Sequence, residues 1–431
     1  MHSQSNPNAA CGQSASRAAP RQPRLSPLRH PRFDPAERPF IVIWEVTRAC
    51  DLACLHCRAE AAPWRHPAEL TTEEGRALID QVAAFGAPSP ILIFTGGDPM
   101  KRADLVELVA YAVERELVLA FSPSATPALT PEVLGELHQA GLKTLSLSLD
   151  GSEPAIHDAF RGVEGVFART MAAWDAAIAL GFKVQINTTV TRRNLYDLPA
   201  IARMALEREV MTWSVFFLVP TGRGAALEQL SPAECEDVMH FLYDVGKALR
   251  TKTTEGHHYR RVVLQRTVLA RLGLAHQEVL ALGPTYAALR AKLGPLAMRS
   301  EPRRSPMDIN AGRGFVFISH VGTVYPSGFF PAPAGSLRAA TLQDIYRKSS
   351  LFVRLRDPKL LGGRCGRCEF ASVCGGSRSR AYVLSGDPLA EDPLCTYSPG
   401  SFPFQAELAS LLETSMARPR SDTPPAELAG S

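Results

Sequence analysis

Seven of the nine cysteines in this chain fall into two groups. Cys50, Cys54 and Cys57 follow the spacing C-x3-C-x2-C, and Cys365, Cys368, Cys374 and Cys395 the spacing C-x2-C-x5-C-x20-C. Clustered thiols in a long chain read as metal or redox chemistry rather than as a disulfide framework. Three thiolates on one short loop hold three corners of a metal cluster and leave the fourth position open. A catalytic metal needs that opening and a structural one does not. The three do not complete a tetrahedral zinc site without a fourth ligand, and His56, adjacent to Cys57, would have to turn the same way to serve. The four later cysteines form a closed set, suited to an iron–sulfur cluster or to zinc. Cys11, in a Ser/Pro/Arg-rich stretch, and Cys235, in a helical pattern, read as bystanders.

Thiols at such spacings need a scaffold. The chain has 431 residues, 45% hydrophobic and 21% charged, with 47 basic against 43 acidic side chains and a formal net charge of +4. That profile is globular. Its charge is too dilute to point to nucleic acid, and no run of about 18 apolar residues offers a membrane span. No apolar signal-peptide core opens the sequence, so the expected compartment is the cytoplasm. Apolar, β-branched strands are expected at Pro39–Thr47, Ile91–Thr95, Leu117–Ser122, Thr144–Leu149, Lys183–Val190 and Thr212–Val219, each followed by an amphipathic helix. Six strand–helix units with non-alternating strands imply an α/β fold with a parallel sheet under helices, a partial (β/α)6 TIM barrel two units short of closure. Ligands of such folds sit at the C-terminal ends of strands, and Cys50 falls just after the first. The expected domains are a disordered tail over 1–37, the partial barrel over 38–252, a helical linker over 253–306, a small cysteine-bearing domain over 307–400 that opens on a hairpin, and a C-terminal helix and disordered tail over 401–431.

In that position, Cys50-Asp-Leu-Ala-Cys54-Leu-His-Cys57 resembles the signature of the radical S-adenosylmethionine (AdoMet) enzymes. The resemblance implies that the three cysteines hold a 4Fe–4S cluster whose fourth iron chelates the amino and carboxylate groups of AdoMet. One electron then cleaves AdoMet to a 5′-deoxyadenosyl radical, which takes a hydrogen atom from the substrate. Thr95-Gly96-Gly97-Asp98-Pro99 is similar to the family's Gly-Gly-Glu-Pro motif, with Asp98 for the usual Glu. Its glycines would let a ligand approach the backbone. The resemblance assigns further AdoMet contacts to Ser146, Ser148 and Asp150, on one face of the fourth strand by alternation, and to Asn187, Leu218, Val219 and His56.

The stretch from Gly363 to Arg378 resembles the SPASM-type auxiliary-cluster domain, in a shorter, twitch-like form. Asn310 and Ser327 stand where two further cysteines would flank the hairpin, so one auxiliary 4Fe–4S cluster is implied rather than two. His157-Asp158-Ala-Phe-Arg161-Gly162 and Val219-Pro-Thr-Gly-Arg223-Gly resemble the NirJ and haem-biosynthesis branch, which modifies propionates of iron tetrapyrroles, as in haem d1 formation. The partners so implied are a small tetrapyrrole substrate and a flavodoxin or ferredoxin as electron donor. Propionates suit arginine, whose fork binds carboxylates bidentately. Arg223 and Arg260, with Arg261, Arg338 and Arg378, lie in stretches that could face the barrel mouth. His257 and His258, beside Tyr259, are candidates to ligate a haem iron or donate a proton. Two other readings stand beside this one. A peptide-modifying maturase is disfavoured by a polar N-terminal stretch too short for a leader-binding domain. A non-catalytic metal scaffold is disfavoured by the open three-cysteine set.

Overall fold

A computed structural model of the chain describes residues 26–31 and 33–416; Cys11 and the outer parts of both expected tails lie outside them. The sheet is built from β1 (Ile41–Thr47), β2 (Ile91–Gly96), β3 (Leu119–Phe121), β4 (Thr144–Ser148), β5 (Lys183–Val190), β6 (Thr212–Phe217), β7 (Thr251–Thr254), β8 (Phe315–Ile318), β9 (Thr323–Tyr325) and β10 (Gly335–Ser336). Its spatial order is β10-β9-β8-β1-β2-β3-β4-β5-β6-β7. All pairings from β8 through β1 to β7 are parallel; β9 and β10 turn back antiparallel.

The apolar strands explain the layering. Trp44, Phe94, Phe121, Leu145, Ile186 and Trp213 are buried under the outer helices, and Trp44 meets Phe94 edge-on at 5.3 Å. The helices start on encoded caps. Thr71 and Ser231 each form a capping box with the glutamate three residues on, Glu74 and Glu234. Each such cap contributes about 1 kcal/mol.

The α/β class and the open parallel barrel match expectation, and the strand count rises. β7 reads Thr-Lys-Thr-Thr, with no apolar run, so periodicity passes over it; it pairs with β6 and carries the sheet across the 252/253 boundary. β8, expected to open a separate domain at 307, pairs in parallel with β1 and joins the cysteine-bearing region to the barrel sheet. A helix over Pro154–Arg161 precedes the expected one, here Val166–Ala179. Within the stretch read as an N-terminal tail, Leu28 is buried, Arg29 bridges to Met307, and the Tyr346 hydroxyl donates to the Pro35 carbonyl. Apolar residues scattered among prolines gave no periodic signal for that packing. Among the described residues, no helix is long and apolar enough to cross a membrane.

Candidate active site

Beyond Thr47 the chain crosses the C-terminal rim of the sheet, carrying Cys50 and Cys54 buried and Cys57 half-buried. Neighbouring loops grip this segment by its backbone. The Gly97 amide donates to the Thr47 carbonyl at 2.9 Å and the Asp98 amide to the Ala49 carbonyl at 2.6 Å. A Cβ on Gly97 would sit 2.4 Å from the Ala49 carbonyl oxygen, a contact only glycine avoids. The glycine pair, expected to admit a ligand, therefore first admits the cysteine loop itself. From the opposite side, the Arg223 amide donates to the Cys57 carbonyl (3.0 Å) and its Nε to the Cys54 carbonyl (2.9 Å). Gly222 beside it, at φ +53, would place a Cβ 2.5 Å from the Cys57 carbonyl.

The sulfurs are faced by donors. Arg161 Nη1 lies 3.7 Å from Cys54 Sγ, the Leu52 amide 3.4 Å and Ser124 Oγ 3.6 Å from Cys50 Sγ. Behind Arg161 stands Asp150, at 2.5 Å, fixed by the Thr189 amide at 2.7 Å. Burial alone would push the Asp150 carboxyl up; the Arg161 guanidinium, His56, His157 and the Thr189 amide together outweigh it and hold the group below its ordinary value. Burial pushes the Cys50 thiol up to about 11, so without a metal it stays protonated and inert.

Not every expected contact faces the same space. A cavity of about 380 Å³ opens beside the three cysteines, lined by His56, Gly96, Gly97, Ser146, Ser148, Asn187, Leu218, Val219 and Arg223. Ile41, Ile43, Ile93, Phe315 and Phe317 make one apolar flank. Asp98, Pro99 and Asp150 lie behind the wall. Asp98 accepts from the Met100 and Ser124 amides and the Thr126 hydroxyl, tying the β2 loop to the β3 loop. Asp150 lies beyond the end of β4, where the alternation that would have aimed it inward has stopped.

The later candidates divide similarly. His257 lines the cavity, neutral through burial and the nearby Arg260 cation, with Nε2 unpartnered. Arg260 lines it too, but its guanidinium donates to the carbonyls of Met307, Val373 and Ile309. His258 and Arg261 line the second cysteine pocket instead. Tyr259 is buried with Tyr243 in the hydrophobic core, and Arg338 is an exposed partner of Glu74.

Cys365, Cys368, Cys374 and Cys395 wall one small pocket. Arg378 Nη2 approaches Cys365 Sγ at 3.7 Å, the Asp392 amide the same sulfur at 3.4 Å, and the Gly376 amide Cys374 Sγ at 3.4 Å. Asn310 donates through Nδ2 to the carbonyls of Cys374 (3.2 Å) and Gly376 (2.9 Å), and Ser327 to Glu255 Oε1 (3.0 Å). The two positions where further cysteines would stand are thus taken up in tying the cysteine loop and the hairpin to the barrel. Arg161, Ser124 and Glu255 escaped sequence reasoning. Arg161 was visible only as part of a branch motif, and nothing local marks the other two.

The first loop fits an open 4Fe–4S cluster: three sulfurs ringed by amide, hydroxyl and guanidinium donors, at the wall of a cavity large enough for a ligand. Among the described residues, no three Cys, His, Asp or Glu side chains close on a point that would hold a single ion.

Comparison with known proteins agrees. The family model described as "Radical SAM superfamily" matches residues 44–205. The AdoMet-dependent heme synthase of Nitratidesulfovibrio vulgaris is 41% identical over 83% of this chain and 92% of its own length. That of Methanosarcina barkeri is 38% identical over 84% and 97%. The structure of Streptococcus suis SuiB bound to S-adenosylmethionine superposes with a TM-score of 0.59 at 16% identity, covering 84% of this chain and 78% of that one, and so shares the fold. The family implies the 4Fe–4S cluster and AdoMet that the cysteine loop and its cavity are built to hold, and it removes the scaffold reading. The chain belongs to the radical SAM superfamily and is an AdoMet-dependent enzyme.

Proposed function

We propose that this enzyme removes propionate carbon from an iron tetrapyrrole, in haem biosynthesis. The observation that carries the reading is the mixed lining of the cavity. Apolar side chains (Ile41, Ile43, Ile93, Phe315, Phe317) and the polar Arg223, His257 and Arg260 line one space that begins at the cysteine loop. A flat apolar ring bearing carboxylates needs such a pairing of surfaces. The heme synthases that this chain is similar to support the same substrate class.

When bound, a 4Fe–4S cluster and AdoMet at the first loop supply a hydrogen-abstracting radical, and a four-cysteine cluster at the second would supply a one-electron acceptor. Loss of a hydrogen atom, carbon dioxide and one electron turns a propionate into a vinyl group. The protein's own residues position and insulate. Arg161, neutralised behind by Asp150, sets the field at Cys54. Arg223 pins the loop and directs its buried, unpartnered Nη2 beside the cavity. His257 stays neutral through burial, and so suits a metal or a proton-accepting role rather than a cationic one. Arg260 spans the two sites, lining the cavity while donating to the carbonyls of Val373 and Cys374. A flavodoxin or ferredoxin fits as the source of the initiating electron.

Anaerobic reconstitution should give about eight irons per chain, two cubanes of four. Incubation with AdoMet, reductant and iron coproporphyrin III should yield 5′-deoxyadenosine and porphyrins lighter by the mass of formic acid per side chain. Formation of 5′-deoxyadenosine with the porphyrin mass unchanged would overturn the substrate assignment and favour a peptide.

A further inference from the structure

One turn of chain separates the two sites. After β7 the backbone passes through Glu255, Gly256, His257 and His258 before the helix Tyr259–Leu272 begins. The turn is firmly fixed. Glu255 takes a left-handed conformation at φ +54, and its carbonyl accepts from Arg380 Nη2 at 2.9 Å. The Gly256 carbonyl accepts from Thr253 Oγ1 at 2.9 Å, and a Cβ on Gly256 would lie 2.5 Å from the Phe217 ring. Tyr259, next along, is buried in the core. So held, the two histidines diverge. His257 lines the large cavity, and His258 the small pocket walled by Cys365, Cys368, Cys374 and Cys395.

His258 is 1% exposed, and neither ring nitrogen has a hydrogen-bond partner among the described residues. In either protonation state an imidazole carries at least one N–H. Leaving such a buried donor unmade costs about 1–3 kcal/mol. The neighbours do not take it up. Asp392 Oδ2 lies 3.8 Å from Nδ1, beyond hydrogen-bond reach. That oxygen accepts instead from the Ser377 amide (2.8 Å) and Arg380 Nη1 (3.1 Å). The arginines of the pocket are committed too, Arg261 to Glu236 and Gln265, Arg364 to Glu391 and the Cys395 carbonyl. His258 therefore brings an unpaired N–H to the wall of the pocket.

We infer that His258 is a hydrogen-bond donor to the iron–sulfur cluster of the second cysteine set and raises its reduction potential. This rests on the four-cysteine electron acceptor proposed above. A donor at a sulfur stabilises the reduced state, which holds one more negative charge, more than the oxidised state. His258 touches no reacting atom. It is a positioning residue that makes the acceptor easier to reduce, one peptide away from the His257 that meets the cavity.

The test is potentiometry read by electron paramagnetic resonance. The parent is full-length Cys54→Ala, whose remaining irons, about four, belong to the second set. His258→Leu in that parent should keep its iron. At the parent's midpoint it should show an about tenfold lower ratio of reduced to oxidised cluster, a shift of about 59 mV to more negative potential. His258→Gln, whose amide keeps an N–H donor, should stay within about threefold of the parent. Parent protein grown on [15N]histidine should show, in pulsed spectra, a histidine nitrogen coupled to the reduced cluster, and His258→Leu should lose it. An unchanged midpoint in His258→Leu with its iron retained would overturn the assignment. So would a His258→Gln midpoint as low as that of His258→Leu, since packing rather than donation would then set the potential. Parent spectra without histidine coupling would overturn it as well, even where His258→Leu loses its iron. Zinc in place of the second set's iron would instead overturn the electron-acceptor reading beneath it.

Discussion

The three cysteines after β1 sit on one short loop at the edge of a large cavity; the four near the C-terminus come from separated segments and wall in a small one. The first set has no rigidity of its own. Its loop is held by the backbones of the turns after β2 and β6 and of the helix ending at Arg161, through Gly97, Arg223 and the carbonyls of Phe160 and Arg161. The second set is held by charge and by its own chain, with Arg378 and two amides at the sulfurs and the buried Asp392–Arg380 pair beneath (3.1 Å). An open site has to borrow its geometry from neighbours, because a coordination position is kept free for the ligand. A saturated one can close around its contents.

That contrast breaks first at the thiols. Cys54→Ala should lose about four irons and all measurable 5′-deoxyadenosine formation. Cys374→Ala should lose the other four, abolish porphyrin product, and still cleave AdoMet. Iron analysis and chromatography of 5′-deoxyadenosine check both, and equal behaviour would erase the distinction between the sites.

The support behind the first loop comes next. Arg161→Met strands the Asp150 carboxylate in a buried setting, at a cost of about 3–5 kcal/mol. The urea midpoint should fall accordingly, and adding Asp150→Asn should recover much of it. A single variant with wild-type stability would mean that Asp150 is protonated or hydrated.

His157 sharpens the comparison through pH. It accepts from the Asp150 amide (3.1 Å), and burial holds its imidazole down to about 4. Unfolded, it titrates near 6.5, so between these values the unfolded chain binds more protons than the folded one. Its contribution is complete above about 6.5 and is lost as pH falls toward 4. Between pH 7 and pH 5 the loss should be about 2 kcal/mol by denaturant titration, and His157→Gln should flatten that slope.

The smallest effect tests the borrowed geometry. Gly97→Ala must displace the Ala49 carbonyl, at about 1–3 kcal/mol. It should lower 5′-deoxyadenosine formation far more than it lowers the thermal midpoint. The reverse pattern would show that the loop tolerates the shift.

Much of this was legible in the sequence. Apolar runs such as Ile91–Phe94 mark strands, and the cysteine spacings announce their chemistry. What was not legible is non-local. β7 is polar because it faces the cavity, so the residues that make it functional hide it as a strand. The pairing of β8 with β1 joins residues from opposite ends of the chain and leaves no local trace. Asp98 and Asp150 read as ligand contacts because short motifs carry residue type but not side-chain direction; here both turn away from the cavity to fix loops. His257 and His258, adjacent in sequence, face different pockets, a separation that no pattern of spacing encodes.

The β1–β8 pairing also bears on how the protein comes into being. β1 is synthesised long before β8, one of its two flanking strands. Until then its edge carries unpaired amides and carbonyls, an invitation to association. A ladder closed so late in synthesis makes maturation slow. A chain truncated before residue 315 would leave β1 permanently unshielded on that side.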